Sequence, residues 1–347
     1  MKKKILLVVT ALAFLVINSC TDSITDPEPE PGRRDYIWTE DTISIPFGFL
    51  WKLWGSSQND VWCIGPAGGL DQTIWHFNGV EWTTDGISRS ISPFSIFGFN
   101  KNDVWIGGQN SLIWRYNGTK WEEKFRPFPL EHWAYSTIYS IFGTSTNNLF
   151  AVGYIDSTNV PQQEVGTIFS NDGSKWKRLD IETQKLHFTK IRKDANDPNY
   201  YLVGIIINND WSNDVKLFSF DGTKLKEIYY GKLNDYKGAD LELINYKIYF
   251  GIDNGVYTYD GSKFNLKFNV DNQKFTQGLA GRNEKDIFLS MWDGIAHYNG
   301  QDIQYIIQDN NLSYSDMLVF NDEIFVLCNH KSKDVAIIKR GRLKQTN

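Results

Sequence analysis

The feature of this chain that most constrains its fold is an internal repeat. An Asn-Gly or Asp-Gly pair recurs along the sequence, with its glycines at Gly79, Gly118, Gly173, Gly222, Gly261 and Gly300. We assign a seventh, degenerate copy to Lys339-Arg340-Gly341. Successive glycines are separated by 39, 55, 49, 39, 39 and 41 residues. Seven units of roughly forty residues indicate a repeat architecture, in which each unit buries its faces against its neighbours.

A second landmark, the sequence Asn-Asp-Val-Trp, is found in five of the units. It stands at residues 59–62 and 102–105, with looser copies at 147–150, 285–288 and 322–325. Apolar residues alternate around these landmarks with a period of two, which predicts strands. In the second unit we expect strands a to d at 95–98, 104–107, 112–116 and 120–122. The sequence therefore predicts an all-β fold, a seven-bladed β-propeller with four antiparallel strands per blade.

A propeller must close its ring, and the N-terminal region offers a strand for this purpose. The segment Ile37-Trp38-Thr39-Glu40-Asp41 matches Glu81-Trp82-Thr83-Thr84-Asp85, which is a predicted outer strand d. We therefore expect residues 36–45 to supply the outer strand of the last blade, within a propeller spanning 36–347. The competing candidate for that strand is Arg342-Leu343-Lys344.

The repeats are similar to those of known bacterial propellers. The stretch Asp293-Gly294-Ile295-Ala296-His297-Tyr298-Asn299-Gly300 resembles the two-component-regulator-type and the Kelch and galactose-oxidase-like repeats, and the resemblance covers residues 47–347. It implies an architecture and not an activity, because propellers of these families share little beyond their fold.

The N-terminus predicts a lipid-anchored protein of the cell envelope. Residues 1–19 are predicted to be a lipoprotein signal peptide, because three lysines are followed by an apolar run at 5–17 and then by Cys20. Cys20 is the predicted lipid attachment site. The alternative is an ordinary signal peptide. Residues 20–35 form an acidic, proline-rich tether. This predicts a membrane partner through the anchor and an outer-membrane lipoprotein on the periplasmic or extracellular side.

Charge and cysteine content narrow the remaining possibilities. The net charge is −5, and removal of the three lysines in the signal makes it −8, so we expect no nucleic-acid partner. Cys63 and Cys328 align on equivalent faces of adjacent blades, which favours two buried free thiols over a disulfide. We expect a monomer.

Function is expected on the face that carries the b–c loops and the d–a connections, because these segments are long. Seven residues there are candidates for stacking on, or hydrogen bonding to, a glycan or protein ligand: His132, Trp133, Asp156, Asp210, Trp211, Trp292 and Asp293. The alternative for each tryptophan is that it covers a blade edge. The repeated Asp60, Asp103 and Asp286 are interpreted as turn-capping residues rather than metal ligands.

The sequence provides no catalytic residue, metal site or cofactor site. The five histidines show no zinc spacing, and the chain has no nucleophile elbow or phosphate-binding loop. A sialidase needs arginines on the inner strands, where the sequence places almost none. Two hypotheses remain, a binding or scaffold module for glycan or protein and a glycan-active hydrolase or lyase. Channel carboxylates with a raised pKa would favour the enzyme.

Overall fold

The architecture follows the repeat. The computed structural model describes residues 28–127, 136–156, 164–208, 212–233 and 238–345. Within these ranges the chain forms seven four-stranded antiparallel sheets and no helix. The predicted seven-bladed propeller is confirmed.

In blades one to six the strands a, b, c and d follow one another along the chain, from the central channel outwards. Blade one contains β2 (Lys52–Ser57), β3 (Asp60–Ile64), β4 (Ile74–Phe77) and β5 (Trp82–Thr83). Blade two contains β6 (Pro93–Asn100), β7 (Asp103–Gly108), β8 (Ile113–Tyr116) and β9 (Trp121–Phe125). Blade three contains β10 (Ser136–Ser145), β11 (Asn148–Asp156), β12 (Glu164–Asn171) and β13 (Trp176–Arg178).

The next three blades repeat this order. Blade four contains β14 (His187–Lys193), β15 (Tyr200–Ile207), β16 (Asn213–Phe220) and β17 (Leu225–Leu233). Blade five contains β18 (Ala239–Ile244), β19 (Lys247–Ile252), β20 (Gly255–Tyr259) and β21 (Phe264–Asn269). Blade six contains β22 (Phe275–Asn283), β23 (Asp286–Met291), β24 (Gly294–Tyr298) and β25 (Ile303–Gln308).

Blade seven joins the two ends of the chain. Its inner strands are β26 (Leu312–Val319), β27 (Glu323–His330) and β28 (Val335–Leu343), and its outer strand is β1 (Tyr36–Ser44). β1 pairs with β28 from Tyr36↔Leu343 to Ser44↔Val335. The predicted closure by the N-terminal strand is confirmed, and the alternative at 342–344 is wrong. Gly341 was wrongly assigned as a seventh turn, because it lies inside β28 beneath the ring of Trp38.

One face of the ring carries the a–b and c–d turns, and we call it the turn face. All six c–d hairpins there use the predicted glycine, with φ between 91° and 97°. The Asn or Asp before each glycine keeps a negative φ. Its side chain instead accepts hydrogen bonds from the backbone N–H groups two and three residues later, as Asn117 does from Thr119 and Lys120. The same pair of residues therefore forms the same type of turn in six blades.

Just inside the turn face, four blades share a triad of an acid, a basic side chain and an aromatic ring. In blade one Asp60 Oδ1 lies 2.7 Å from His76 Nε2, and the imidazole stacks on Trp62 at 4.2 Å. The corresponding ion pairs in blades two, six and seven are Asp103–Arg115, Asp286–His297 and Glu323–Arg340. The acids at the start of strand b thus bind strand c, so the turn-capping interpretation is incomplete.

The hydrophobic core is divided among the contacts between blades. The described residues form seven apolar clusters, one at each boundary between neighbouring blades. Cys63 lies in the cluster between blades seven and one, whereas Cys328 lies in the cluster between blades six and seven. Because the two cysteines face different boundaries, both remain free and buried, as the sequence predicted.

Candidate functional site

The opposite face of the ring carries the b–c loops and the d–a connections, and we call it the long-loop face. Strand a of every blade starts there and runs down the central channel towards the turn face. Both the channel and its mouth on the long-loop face are built from residues of several blades. They are therefore the places where side chains distant in sequence come together.

The channel contains a network of ion pairs. On its wall Lys190 Nζ lies 2.8 Å from Asp240 Oδ2 and 3.3 Å from Glu242 Oε2. Arg192 Nε donates to Glu242 Oε1 at 2.7 Å. Further round the channel, Asp316 Oδ1 lies 3.8 Å from Lys52 Nζ beside a cavity of about 240 Å³. The sequence interpretation placed almost no arginine on the inner strands, and the presence of Arg192 on β14 corrects it.

The charge state of this network argues against acid catalysis in the channel. Burial by itself would raise the pKa of Glu242, but the charges of Arg192 and Lys190 lower it to about 2. A carboxylate held ionised in this way is a poor proton donor near neutral pH. Glu242 therefore does not show the raised pKa that the sequence analysis named as the sign of an enzyme.

An aromatic cluster lies at the channel mouth between blades two, three and four, and we call it the mouth cluster. The rings of Tyr154 and His187 stack with centroids 3.8 Å apart and planes at 9°. Tyr139 continues the stack at 5.9 Å from Tyr154, and Phe94 meets Tyr139 edge-on at 5.8 Å. A bulge in β10 between Ile138 and Ser140 places Tyr139 outside the regular strand register.

Two carboxylates border the mouth cluster. Asp156 and Glu164 are cross-strand partners at the ends of β11 and β12. Glu164 Oε2 lies 2.6 Å from His187 Nε2, whereas Asp156 Oδ1 is buried and has no hydrogen-bond partner among the described residues. A buried carboxylate oxygen without a partner is costly, so a ligand donor at this position would be favourable.

Burial and hydrogen bonding fix the protonation of the cluster. Burial lowers the pKa of His187, and the charge and hydrogen bond of Glu164 only partly oppose this effect. The neutral ring then donates from Nε2 to Glu164 and presents Nδ1 as an acceptor. Burial, aided by Tyr154 and Glu164, raises the pKa of Tyr139 to about 12, so its hydroxyl stays a donor at neutral pH. The mouth cluster can thus stack on a ligand, donate to it and accept from it.

The structure separates the residues that the sequence proposed for ligand binding. Trp292 lies in the b–c turn of blade six and is 58% exposed. Its neighbour Asp293 is buried, and its oxygens accept hydrogen bonds from Tyr305, Lys274 and Gln308. Asp156 lies at the mouth cluster. The other four, His132, Trp133, Asp210 and Trp211, lie outside the described residues.

Sequence reasoning missed the rest of the mouth cluster. Tyr139, Tyr154, Glu164 and His187 were not singled out, because each lies in a strand whose neighbours fit the repeat. One signal was available in retrospect. Tyr154 and Glu164 flank the longest b–c insertion, and an insertion into a regular unit is where function is expected.

No three His, Cys, Asp or Glu side chains in the part of the chain that the structure describes cluster as metal ligands would. Nor do the described ranges contain a helix long and apolar enough to cross a membrane.

Comparison with known proteins gives information on the fold only. No protein-family model and no curated protein matches the sequence. Among solved structures, the chain is similar to YCF48 bound to D1 peptide, with 12% identity, a TM-score of 0.59 and coverage of 91% of this chain and 97% of that one.

Two WD40 propellers are similar to the same degree. The Neurospora crassa Pan2 WD40 domain has 11% identity and a TM-score of 0.59, with 92% of this chain and 99% of that one covered. The Doa1 WD40 propeller has 10% identity and a TM-score of 0.56, with 88% and 96% covered. At these identities the likeness supports the propeller and assigns no activity.

Proposed function

We propose that this protein is a lipid-anchored binding module of the cell envelope that holds a segment of a protein ligand at the mouth cluster. The observation that carries the proposal is the stack of Tyr139, Tyr154 and His187 beside Asp156, whose Oδ1 is buried without a partner among the described residues. Tyrosines that combine a flat apolar ring with a hydroxyl are typical of binding hot spots.

The path of the chain supports the orientation that such a module needs. Residues that precede β1 lie on the turn face, where Gly32 N–H donates to the carbonyl of Lys285 and Arg34 bonds Asp302 at 2.6 Å. An anchor at Cys20 would therefore hold the turn face towards the membrane. The long-loop face, with the mouth cluster, would point away from the bilayer and towards its partner.

A protein segment is the ligand class that the geometry favours. The mouth cluster offers stacked rings, a hydroxyl donor, an imidazole acceptor and a carboxylate side by side, which suits the mixed chemistry of a peptide. YCF48, which shares the propeller fold, has been captured with a peptide bound, so the architecture is compatible with this use.

A displayed library of random peptides, selected against the full chain, tests the proposal. We expect selected peptides to bind Tyr154→Ala and Tyr139→Ala at least tenfold more weakly than the wild type. The matched control is Tyr246→Ala, an exposed tyrosine on the turn face, which should bind normally. Failure to select any peptide, or peptides indifferent to both mouth variants, contradicts the proposal.

The same protein should be screened against a glycan array with both binding and product release recorded. A glycan that competes with the selected peptides for the mouth cluster would show that the ligand is a saccharide and not a protein segment. Release of a shortened product would replace the binding module by the glycan-active enzyme.

The anchor has a test of its own. Cys20→Ala should abolish incorporation of a labelled fatty acid and shift the protein from the membrane fraction to the soluble fraction. Retention of the label on this variant contradicts lipidation at Cys20.

A further inference from the structure

A second aromatic surface lies on the long-loop face between blades seven and one, where β1 leads into β2. This linker presents three large rings to solvent: Phe47 is 93% exposed, Phe49 39% and Trp51 40%. The rings of Phe49 and Trp51 meet at 5.2 Å with their planes at 52°. Exposed aromatic residues grouped in this way mark an interaction site rather than a random surface.

The linker is held rigidly in this exposed form. Leu50, between the two rings, is fully buried, and Asn329 clamps it by accepting from its N–H at 3.0 Å and donating to its carbonyl at 2.7 Å. Gly48 and Gly68 let the linker pack directly against the b–c loop of blade one, since a Cβ on either would overlap its backbone neighbours. The rings therefore cannot turn inward without dismantling these contacts.

Phe49 and Trp51 form one wall of a cleft of about 550 Å³ between blades seven and one. Ser313, Ser315 and Asn329 lie at its base. The other wall is the b–c loop of blade seven, with His330, Lys331, Lys333 and the single acid Asp334. Lys331 donates to the carbonyl of Asn310, whereas Lys333 has no ion pair with any described residue. The cleft is thus aromatic on one side and mainly basic on the other.

We propose that this cleft binds an oligosaccharide that carries uronate residues. The C–H face of a pyranose ring is apolar and packs on an aromatic ring, while its hydroxyls meet the serine side chains at the base. The carboxylate of a uronate would lie against Lys333 and His330 on the opposite wall. The site and ligand are separate from those at the mouth cluster and do not depend on them.

The backbone of the linker favours a saccharide over an acidic peptide. Asn329 occupies both backbone groups of Leu50, and the N–H of Trp51 donates to the carbonyl of Ile64 at 2.6 Å. These three backbone groups are therefore not available for strand-like pairing with a peptide. Recognition at this wall then relies on rings and polar side chains, which suits a sugar.

Calorimetric titration of the full chain with hexagalacturonate tests the proposal, with neutral maltohexaose as the comparison sugar. We expect the acidic hexamer to bind at least tenfold more tightly than the neutral one. Trp51→Ala should weaken its binding at least tenfold. The matched control is Tyr246→Ala, an exposed aromatic residue on the turn face, and it should bind like the wild type.

A charge variant separates the basic wall from the aromatic one. Lys333→Gln should reduce the preference for the acidic hexamer severalfold and leave the weak binding of maltohexaose unchanged. Absence of hexagalacturonate binding at millimolar concentration overturns the proposal, and so does binding that Trp51→Ala leaves intact. Acidic peptides that bind at this cleft in place of the sugar also overturn it. Tyr154→Ala should have no effect here, so the two sites fail independently.

Discussion

The two faces of the ring are built in opposite ways. On the turn face six hairpins repeat one solution, with the same glycine conformation and the same side-chain acceptor in each blade. On the long-loop face the described b–c loops differ in length from blade to blade, and Phe47, Phe49, Trp51 and Trp292 are exposed there. The same face carries Asp156, whose Oδ1 has no hydrogen-bond partner among the described residues. This difference indicates that the repeated turns stabilise the fold, whereas the loops that differ between blades form the binding surfaces. Substitutions on the first face should therefore change stability, and those on the second should change binding.

The largest stability loss is expected for Asp286→Ala, just inside the turn face. Its carboxylate pairs with His297 at 2.7 Å and Arg282 at 2.9 Å, and His297 is fully buried. Removing it leaves the guanidinium of Arg282 without a carboxylate and Nε2 of His297 without its partner, which costs about 3–5 kcal/mol. Urea unfolding measures the loss, and peptide or sugar binding should persist at temperatures where the variant is folded.

Asp60→Ala is the matched control, because its partner His76 is more exposed and can be solvated when the acid is lost. Its cost should be about 1 kcal/mol. If Asp286→Ala and Asp60→Ala lose equal amounts of stability, burial does not determine how much each acid–histidine pair stabilises the protein.

A smaller loss is expected from the hairpin glycines. Gly118→Ala and Gly222→Ala both place a Cβ in a left-handed conformation, with φ of 93° and 97°, at about 1–2 kcal/mol. Gly118→Ala should cost more of the two, because its Cβ would lie 2.8 Å from Asn102 Oδ1, whereas the space around Gly222 is open. Thermal unfolding of both variants measures the difference, and the reverse order would contradict the packing argument.

A still smaller effect is expected from pH on the long-loop face. Because burial lowers the pKa of His187 in the folded chain, the unfolded chain binds the proton first as pH falls. His187 should therefore make the protein less stable as pH drops below about 6.5, the ordinary histidine value, and have no further effect below its folded pKa. Urea unfolding between pH 8 and 5 measures this slope, and His187→Gln should flatten it. An unchanged slope in that variant would contradict the assignment.

The smallest effect is a gain in stability from substituting Phe47 on the long-loop face. Phe47 adopts a φ of 58°, a left-handed conformation that glycine adopts easily and a bulky side chain does not. Asparagine tolerates this conformation better than a bulky ring, so Phe47→Asn should stabilise the protein by about 0.5 kcal/mol. Thermal unfolding measures the shift. A loss of stability would show that the exposed ring makes a contact that the folded chain needs.

The same contrast explains how much could be predicted from the sequence. The turn face was predictable, since Asn-Gly and Asp-Gly have local physical consequences that do not depend on distant residues. Gly341 was misassigned because a degenerate copy of the turn motif was expected in every unit, whereas closure by β1 leaves blade seven without a c–d hairpin. The mouth cluster was missed for the same reason: Tyr154 and His187 belong to different blades, and only the packing between blades brings them together.

The pairing of β1 with β28 has a consequence for how the protein is made. β1 is translated long before its partner β28, so a product that ends before β28 cannot complete the ring. Such a product would expose the apolar side of blade one, including Leu53 and Phe77, which blade seven normally covers. Exposed apolar surface of this kind favours proteolysis and aggregation of the fragment.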